Sequence, residues 1–107
     1  MKPLLVITNC PDRETAERIA HDLVERRLAA CVNILAGCRS IYRWQGQTES
    51  ADEVPMLIKT TPAAYPALES AIQALHPYSV PEIVALPIER GLPAYLAWVA
   101  AETGENP

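Results

Sequence analysis

Three cysteines, two histidines and a scatter of carboxylates are the groups through which this chain would do chemistry. Cys10 stands just ahead of Asp12, the residue expected to cap a first helix, and a helix N-terminus lowers a thiol's pKa and raises its reactivity. With His76 as base, Cys10 would then serve as a nucleophile. The competing reading, a small apolar residue half-buried at a strand end, is the stronger one. Cys31, within Ala29-Ala30-Cys31-Val32-Asn33-Ile34, reads as core, and Cys38 beside a bend carries no mark of function. His76 precedes Pro77-Tyr78 at a helix end. A neutral imidazole there can ligate a transition metal, and a protonated one can cap the last helix carbonyls; the structural role leads. His21 falls on the polar face of the first helix. Glu49, Asp52 and Glu53 cluster on the return arm of a hairpin, but without an Asp-x-Asp-x-Asp-Gly loop they read as a solvated tip.

Several chemistries are excluded by what is missing. The glycines at 37, 46, 91 and 104 are too far apart for a Gly-x-Gly-x-x-Gly turn or a Walker loop. Neither His-Glu-x-x-His nor Gly-x-Ser-x-Gly occurs, so zincin and α/β-hydrolase chemistry have no support. Thr8-Asn9-Cys10-Pro11-Asp12 is not the glycine-rich anion loop that acylphosphatase-like chemistry would use. With 9 Lys+Arg against 13 Asp+Glu, the net charge of −4 lacks the footprint of a nucleic-acid binder. No window approaches the ~18 apolar residues of a membrane span. The apolar run Leu4 to Ile7 breaks at Asp12-Arg13, too early for a secretory signal. Three cysteines with no Cys-x-x-Cys point to a reduced, cytoplasmic compartment.

The elements that must position these residues fit one domain of 107 residues. Lys2 to Asn9 reads as a first strand. Asp12 caps a helix whose buried stripe is Ala16, Ile19, Ala20, Leu23 and Val24, closed by Arg26 and Arg27 at the negative end of its dipole. Ala29 to Leu35 is a second strand that Gly37 bends without ending. Beyond it Tyr42 and Trp44 share one face and Ile41 and Arg43 the other. The chain reverses at Gln45-Gly46-Gln47 and returns through Val54 to Thr60, a hairpin much longer than ordinary strands of ~5–6 residues. Thr61-Pro62 starts a second helix with a stripe of Tyr65, Leu68, Ile72 and Leu75, stopped at His76-Pro77. Glu82 to Ile88 is a fourth strand, placed at a sheet edge by Pro87. Pro93 opens a last short helix with Leu92, Tyr95, Leu96 and Val99 inward, and residues 102–107 form a polar tail. This order is the α+β, ferredoxin-like βαββαβ plan plus a terminal helix, with expected strand order 4-1-3-2. So small a core cannot cover a long ribbon bearing Tyr42 and Trp44, which predicts pairing with other copies of the chain.

Six blocks carry a resemblance that covers roughly residues 8 to 98. They are Thr8-Asn9-Cys10-Pro11-Asp12, Leu28-Ala29-Ala30-Cys31-Val32-Asn33-Ile34, Ser40-Ile41-Tyr42-Arg43-Trp44-Gln45-Gly46, Ile58-Lys59-Thr60-Thr61, His76-Pro77-Tyr78-Ser79-Val80-Pro81-Glu82-Ile83 and Tyr95-Leu96-Ala97-Trp98. On these the chain resembles the CutA divalent-ion tolerance family. The resemblance implies a ferredoxin-like subunit in a tight homotrimer built like the PII signalling proteins, with no enzymatic activity. It also implies a link to tolerance of copper(II) or another divalent transition metal. The family's copper ligands are a cysteine at the end of strand one and a His-His pair. Here those positions hold Thr8 and Leu75-His76, so only His76 carries over, with Cys10, Glu82 or another subunit left to complete a metal site. The resemblance further implies a cleft between subunits formed by Tyr42, Trp44, Glu53, Lys59, His76 and Tyr78. An alternative follows from it: a PII-like sensor binding a small anion in that cleft.

Overall fold

The fourteen-residue strand β4 (Gln47–Thr60) is the longest element of the computed structural model, which describes residues 2–104. Its C-terminal half is flanked by β1 (Leu4–Cys10) on one side and β2 (Cys31–Ile34) on the other, both antiparallel. Its N-terminal half pairs with β3 (Cys38–Trp44), and β5 (Ile83–Pro87) adds to the free side of β1. The sheet order is β2-β4-β1-β5. Counting β2 and β3 as the one bent strand of the sequence reading, this is the expected order 4-1-3-2. Pro87 lies opposite Leu4 on the edge strand, where its missing N–H costs no ladder bond to a second neighbour.

Helices α1 (Arg13–Glu25) and α2 (Tyr65–Leu75) cover one face of the sheet. Strand alternation sends Val6, Thr8 and Cys10 of β1 to that face, with Met56 and Ile58 of β4 beside them. Ile19, Leu23, Leu68 and Ile72 close over them as the core. Asp12 Oδ1 accepts the Thr15 N–H at 2.8 Å as the expected cap, which holds its carboxyl below the usual carboxylate range. The opposite face carries Leu5, Ile7, Leu57 and Lys59, with Val84 and Leu86 exposed on the edge strand.

Several local expectations change. The second strand does not run through Gly37: residues 35–37 separate β2 from β3, although Leu35 still donates to the Pro55 carbonyl at 2.9 Å. Val24 is exposed, because the packed stripe of α1 ends at Leu23. The Thr61 hydroxyl caps a turn ahead of α2, accepting from Ala64 N–H at 3.3 Å, and regular helix begins at Tyr65. Gln45 and Gly46 both have positive φ (50° and 80°), so the hairpin closes on a two-residue turn whose twist suits the paired strands.

The C-terminal helix α3 (Pro93–Ala101) departs furthest from expectation. Only Val99 is buried; Leu96 is half-buried, and Leu92 and Tyr95 are exposed. Apolar residues lie on every side of this helix, so its spacing marks no single inward face. Arg26 and Arg27 lie outside α1. Arg27 occupies the left-handed residue of a Schellman turn (φ 60°), with Leu28 N–H on the Leu23 carbonyl and Arg27 N–H on that of Val24. Its guanidinium serves the end of α3 instead, donating to Ala101 O at 2.7 Å and Gly104 O at 2.8 Å. The start of the expected polar tail is therefore docked: Thr103 is buried and Gly104 N–H donates to Arg27 O. Residues 105–107 lie outside the described residues.

Candidate functional site

The end of β1, the turn after α2 and the base of the hairpin meet at His76. Its imidazole is buried, with Nε2 at 2.7 Å from the Asn9 carbonyl and Nδ1 accepting the Tyr78 N–H at 3.1 Å. A carbonyl must accept and a backbone N–H must donate, which assigns the ring as the neutral tautomer with its proton on Nε2. β5 ends its pairing with β1 at Thr8, so the Asn9 carbonyl has no strand on that side, and His76 supplies the missing donor.

Tyr78 continues the chain of contacts. Its ring lies 4.7 Å from the His76 ring, and its hydroxyl donates to Glu53 Oε2 at 3.2 Å. Burial, then the Glu53 carboxylate, push the Tyr78 hydroxyl up to about 12. Glu53 is 9% exposed, so of the three carboxylates read as a solvated tip it is the exception. Asp52 pairs with Arg39 at 3.0 Å, and Glu49 stands exposed opposite Tyr42. The β3–β4 register explains the difference: Glu53 pairs with Cys38 where the ribbon joins the sheet, several residues below the tip.

Cys10 is fully buried rather than half-buried. Burial, with Asp12 and Glu53 adding negative charge, pushes its thiol up to about 11, the opposite of what a helix N-terminus would do for a nucleophile. Cys31 is only half-buried, on the sheet face away from the core, because Val32 rather than Cys31 points toward the helices. His21 is exposed, 3.8 Å from Glu17. Thr8 points into the core, where its hydroxyl has no hydrogen-bond partner among the described residues.

Of the residues expected at a metal centre, Cys10 faces the helices while Glu82 is exposed and accepts from Asn9 Nδ2 at 3.3 Å on the other face. Among the described residues no three His, Cys, Asp or Glu side chains converge on one point. Of the expected cleft residues, Tyr42, Trp44, Glu53 and Tyr78 come together along a groove of about 560 Å³, with Glu82 and Val80 on its wall. Lys59 does not join them within one subunit. It lies six residues along β4 from Glu53, about 20 Å at the usual strand rise, and its ammonium is bonded to Asn33. Val80 and the bridging Asn9 were missed as site residues; both sit inside blocks that carry the resemblance, but neither side chain type advertises a role.

A family model described as CutA1 divalent ion tolerance protein matches residues 4–102. The divalent-cation tolerance protein CutA of Thermus thermophilus is 53% identical over 100 residues, covering 94% of this chain and 97% of that protein. Its solved structure superposes with a TM-score of 0.94 over 95% of this chain and 99% of that one, at 52% identity. CutA1 from the psychrotrophic bacterium Shewanella sp. SIB1 gives the same TM-score at 44% identity, covering 97% of each chain. Protein CutA of Mus musculus is 49% identical over 90 residues, which cover 84% of this chain and 51% of that protein. The chain thus spans nearly all of its Thermus relative and about half the length of the mouse one.

Proposed function

Because the chain belongs to the CutA1 divalent ion tolerance protein family, we propose that it works as a homotrimeric, non-catalytic divalent-cation tolerance protein in the cytoplasm, with weak copper(II) binding at His76. The subunit is read as ferredoxin-like and the assembly as PII-like, with no nucleic acid or membrane among its partners. The observation that carries this reading is the state of its two most reactive side chains. Cys10 is buried with its thiol pushed up, and both ring nitrogens of His76 are already hydrogen-bonded. Such groups suit a scaffold better than a nucleophile and its base.

Copper at Nε2 would displace the bond to Asn9 and force the proton onto Nδ1, which then loses the Tyr78 N–H. Each lost bond costs on the order of 1 kcal/mol, so affinity at this histidine is weak by construction. Assembly is supported by exposed Val84 and Leu86 beside Leu5 and Ile7 on the sheet face opposite α1 and α2, and by the outer edge of β3, which pairs with no strand among the described residues. The three free cysteines support a reducing compartment.

The test joins light scattering to growth on elevated copper. The wild type should weigh three subunits and restore tolerance to a strain lacking the gene. Leu86→Glu, which places a charge in the apolar face, should give smaller species and fail to restore tolerance. A monomeric wild type, or full rescue by a monomeric Leu86→Glu, would overturn the reading.

A further inference from the structure

The chain has two lysines and three cysteines, and one of each stand directly opposite one another in the sheet. Cys31 of β2 pairs with Lys59 of β4. Paired residues share a face, so thiol and amine project together from the side opposite α1 and α2. Both residues are half-buried. Their reactive atoms converge on one oxygen: Lys59 Nζ donates to Asn33 Oδ1, and the Cys31 thiol points at the same atom from 4.0 Å. Tyr95 of α3 reaches that thiol too, and burial, then the presence of Cys31, hold its hydroxyl above the usual phenol range. No carboxylate among the described residues pairs with Lys59.

We infer that Cys31 and Lys59 form a reversible sulfur–nitrogen crosslink when the protein meets hydrogen peroxide. Peroxide transfers one oxygen to the Cys31 thiol, giving a sulfenic acid and one water. The Lys59 amine, in its neutral form, then attacks the sulfenyl sulfur. The S–N bond forms, the S–O bond breaks, and hydroxide leaves with a proton from the amine as a second water. Thiol, amine and peroxide thus become a sulfenamide and two waters, with sulfur oxidised and peroxide reduced. Two equivalents of a small thiol reverse the step, restoring both side chains and leaving as their own disulfide. The fold selects this fate over a disulfide. Cys10 and Cys38 lie opposite Val54 and Glu53, five and six residues along β4 from Lys59. That is on the order of 16–20 Å at the usual strand rise, far beyond disulfide reach. The other lysine, Lys2, is bonded to Glu89. The link fastens the short edge strand β2 to β4 within one subunit, so it does not depend on how copies assemble.

The test treats the full chain with hydrogen peroxide in mildly alkaline buffer, removes the excess with catalase, and reads the protein by intact mass and by peptide mapping with a protease that cuts at glutamate. The native wild type should lose the mass of two hydrogens and yield one peptide pair joined through Cys31 and Lys59. Dithiothreitol should restore the starting mass. The same treatment in urea should leave the pair unjoined, since only the folded sheet holds the two groups together. Lys59→Arg keeps the charge and a donor for Asn33 but offers no primary amine, and Cys31→Ser offers no thiol; neither should lose the two hydrogens. Several results would overturn the inference: an unmodified Cys31, a sulfenic acid that persists or goes on to sulfinic acid beside an intact Lys59, or a disulfide to another copy. A loss of two hydrogens that survives in Lys59→Arg would also overturn it, because the sulfur would then have closed on a backbone nitrogen. The joined peptide from the wild type decides the matter even where a variant folds poorly.

Discussion

The Nε2 of His76 lies 2.7 Å from the main-chain oxygen of Asn9, across 67 residues of sequence. That contact closes the end of β1 where β5 no longer reaches, and it joins the turn after α2 to the strand at the centre of the sheet. With the Tyr78 N–H on the other ring nitrogen, the imidazole acts as a two-ended strut. A residue that resembles a metal ligand in sequence is thus first a structural donor and acceptor.

Removing that strut should therefore cost stability before it costs anything else. His76→Ala leaves a buried carbonyl and an N–H without partners, a loss of about 2 kcal/mol. Urea denaturation should show a lower midpoint with an unchanged slope. An unaltered midpoint would mean that water replaces both bonds without penalty.

Thr8 predicts a change of the opposite sign. Its hydroxyl is buried in the core and unpartnered among the described residues, while valine has the same shape without the polar atom. Thr8→Val should stabilise the protein by about 1 kcal/mol, read as a higher urea midpoint. A destabilised variant would point to a partner for this hydroxyl that the subunit alone lacks.

Cys10 sets an alkaline limit. Its thiol is pushed up from 9.0 to about 11 in the folded protein, so the native state holds the proton more tightly than the unfolded chain. The stabilisation is complete below pH 9, is lost as pH rises through the interval up to about 11, and is flat beyond it. Cys10→Ala should remove that part of the alkaline decline. At pH 8, alkylation of the native protein followed by peptide mapping should leave Cys10 unmodified; rapid labelling there would contradict its burial.

Arg27 couples two helix ends, and its two jobs separate by substitution. Arg27→Gly keeps the left-handed turn and relieves about 1 kcal/mol of backbone strain, yet loses the bonds to Ala101 and Gly104. Arg27→Ala loses the bonds and keeps the strain. Both should raise hydrogen exchange in residues 93–101, with the alanine variant about 1 kcal/mol less stable than the glycine one. Equal stability of the two would deny that the positive φ matters.

These contacts also mark how far the sequence could be read. Strand order followed from local signals: Pro87 places the last strand at an edge, Asp12 starts a helix, and the Ile19 and Leu23 spacing faces it inward. Helix α3 resisted because apolar residues surround it, and periodicity locates a buried face only when the other face is polar. Arg27 resisted for another reason: two adjacent arginines at a helix end suit that helix's own dipole, and only the tertiary fold brings α3 within reach. Glu53 looked like its neighbours Glu49 and Asp52, since depth along a ribbon depends on where the ribbon leaves the sheet. Tyr42, Trp44 and Tyr78 were legible as a group through the family blocks, and within one subunit Lys59, expected in a cleft between subunits, lies apart from them beside Asn33.

The measurement that tests the account most directly is a copper(II) titration of tag-free protein against nitrilotriacetate, for the wild type and His76→Ala. The account predicts binding at up to one ion per subunit that yields to an equimolar competitor and is lost in His76→Ala, since the metal must displace the bonds to Asn9 and Tyr78. Copper retained against excess competitor, or binding indifferent to His76→Ala, would contradict it.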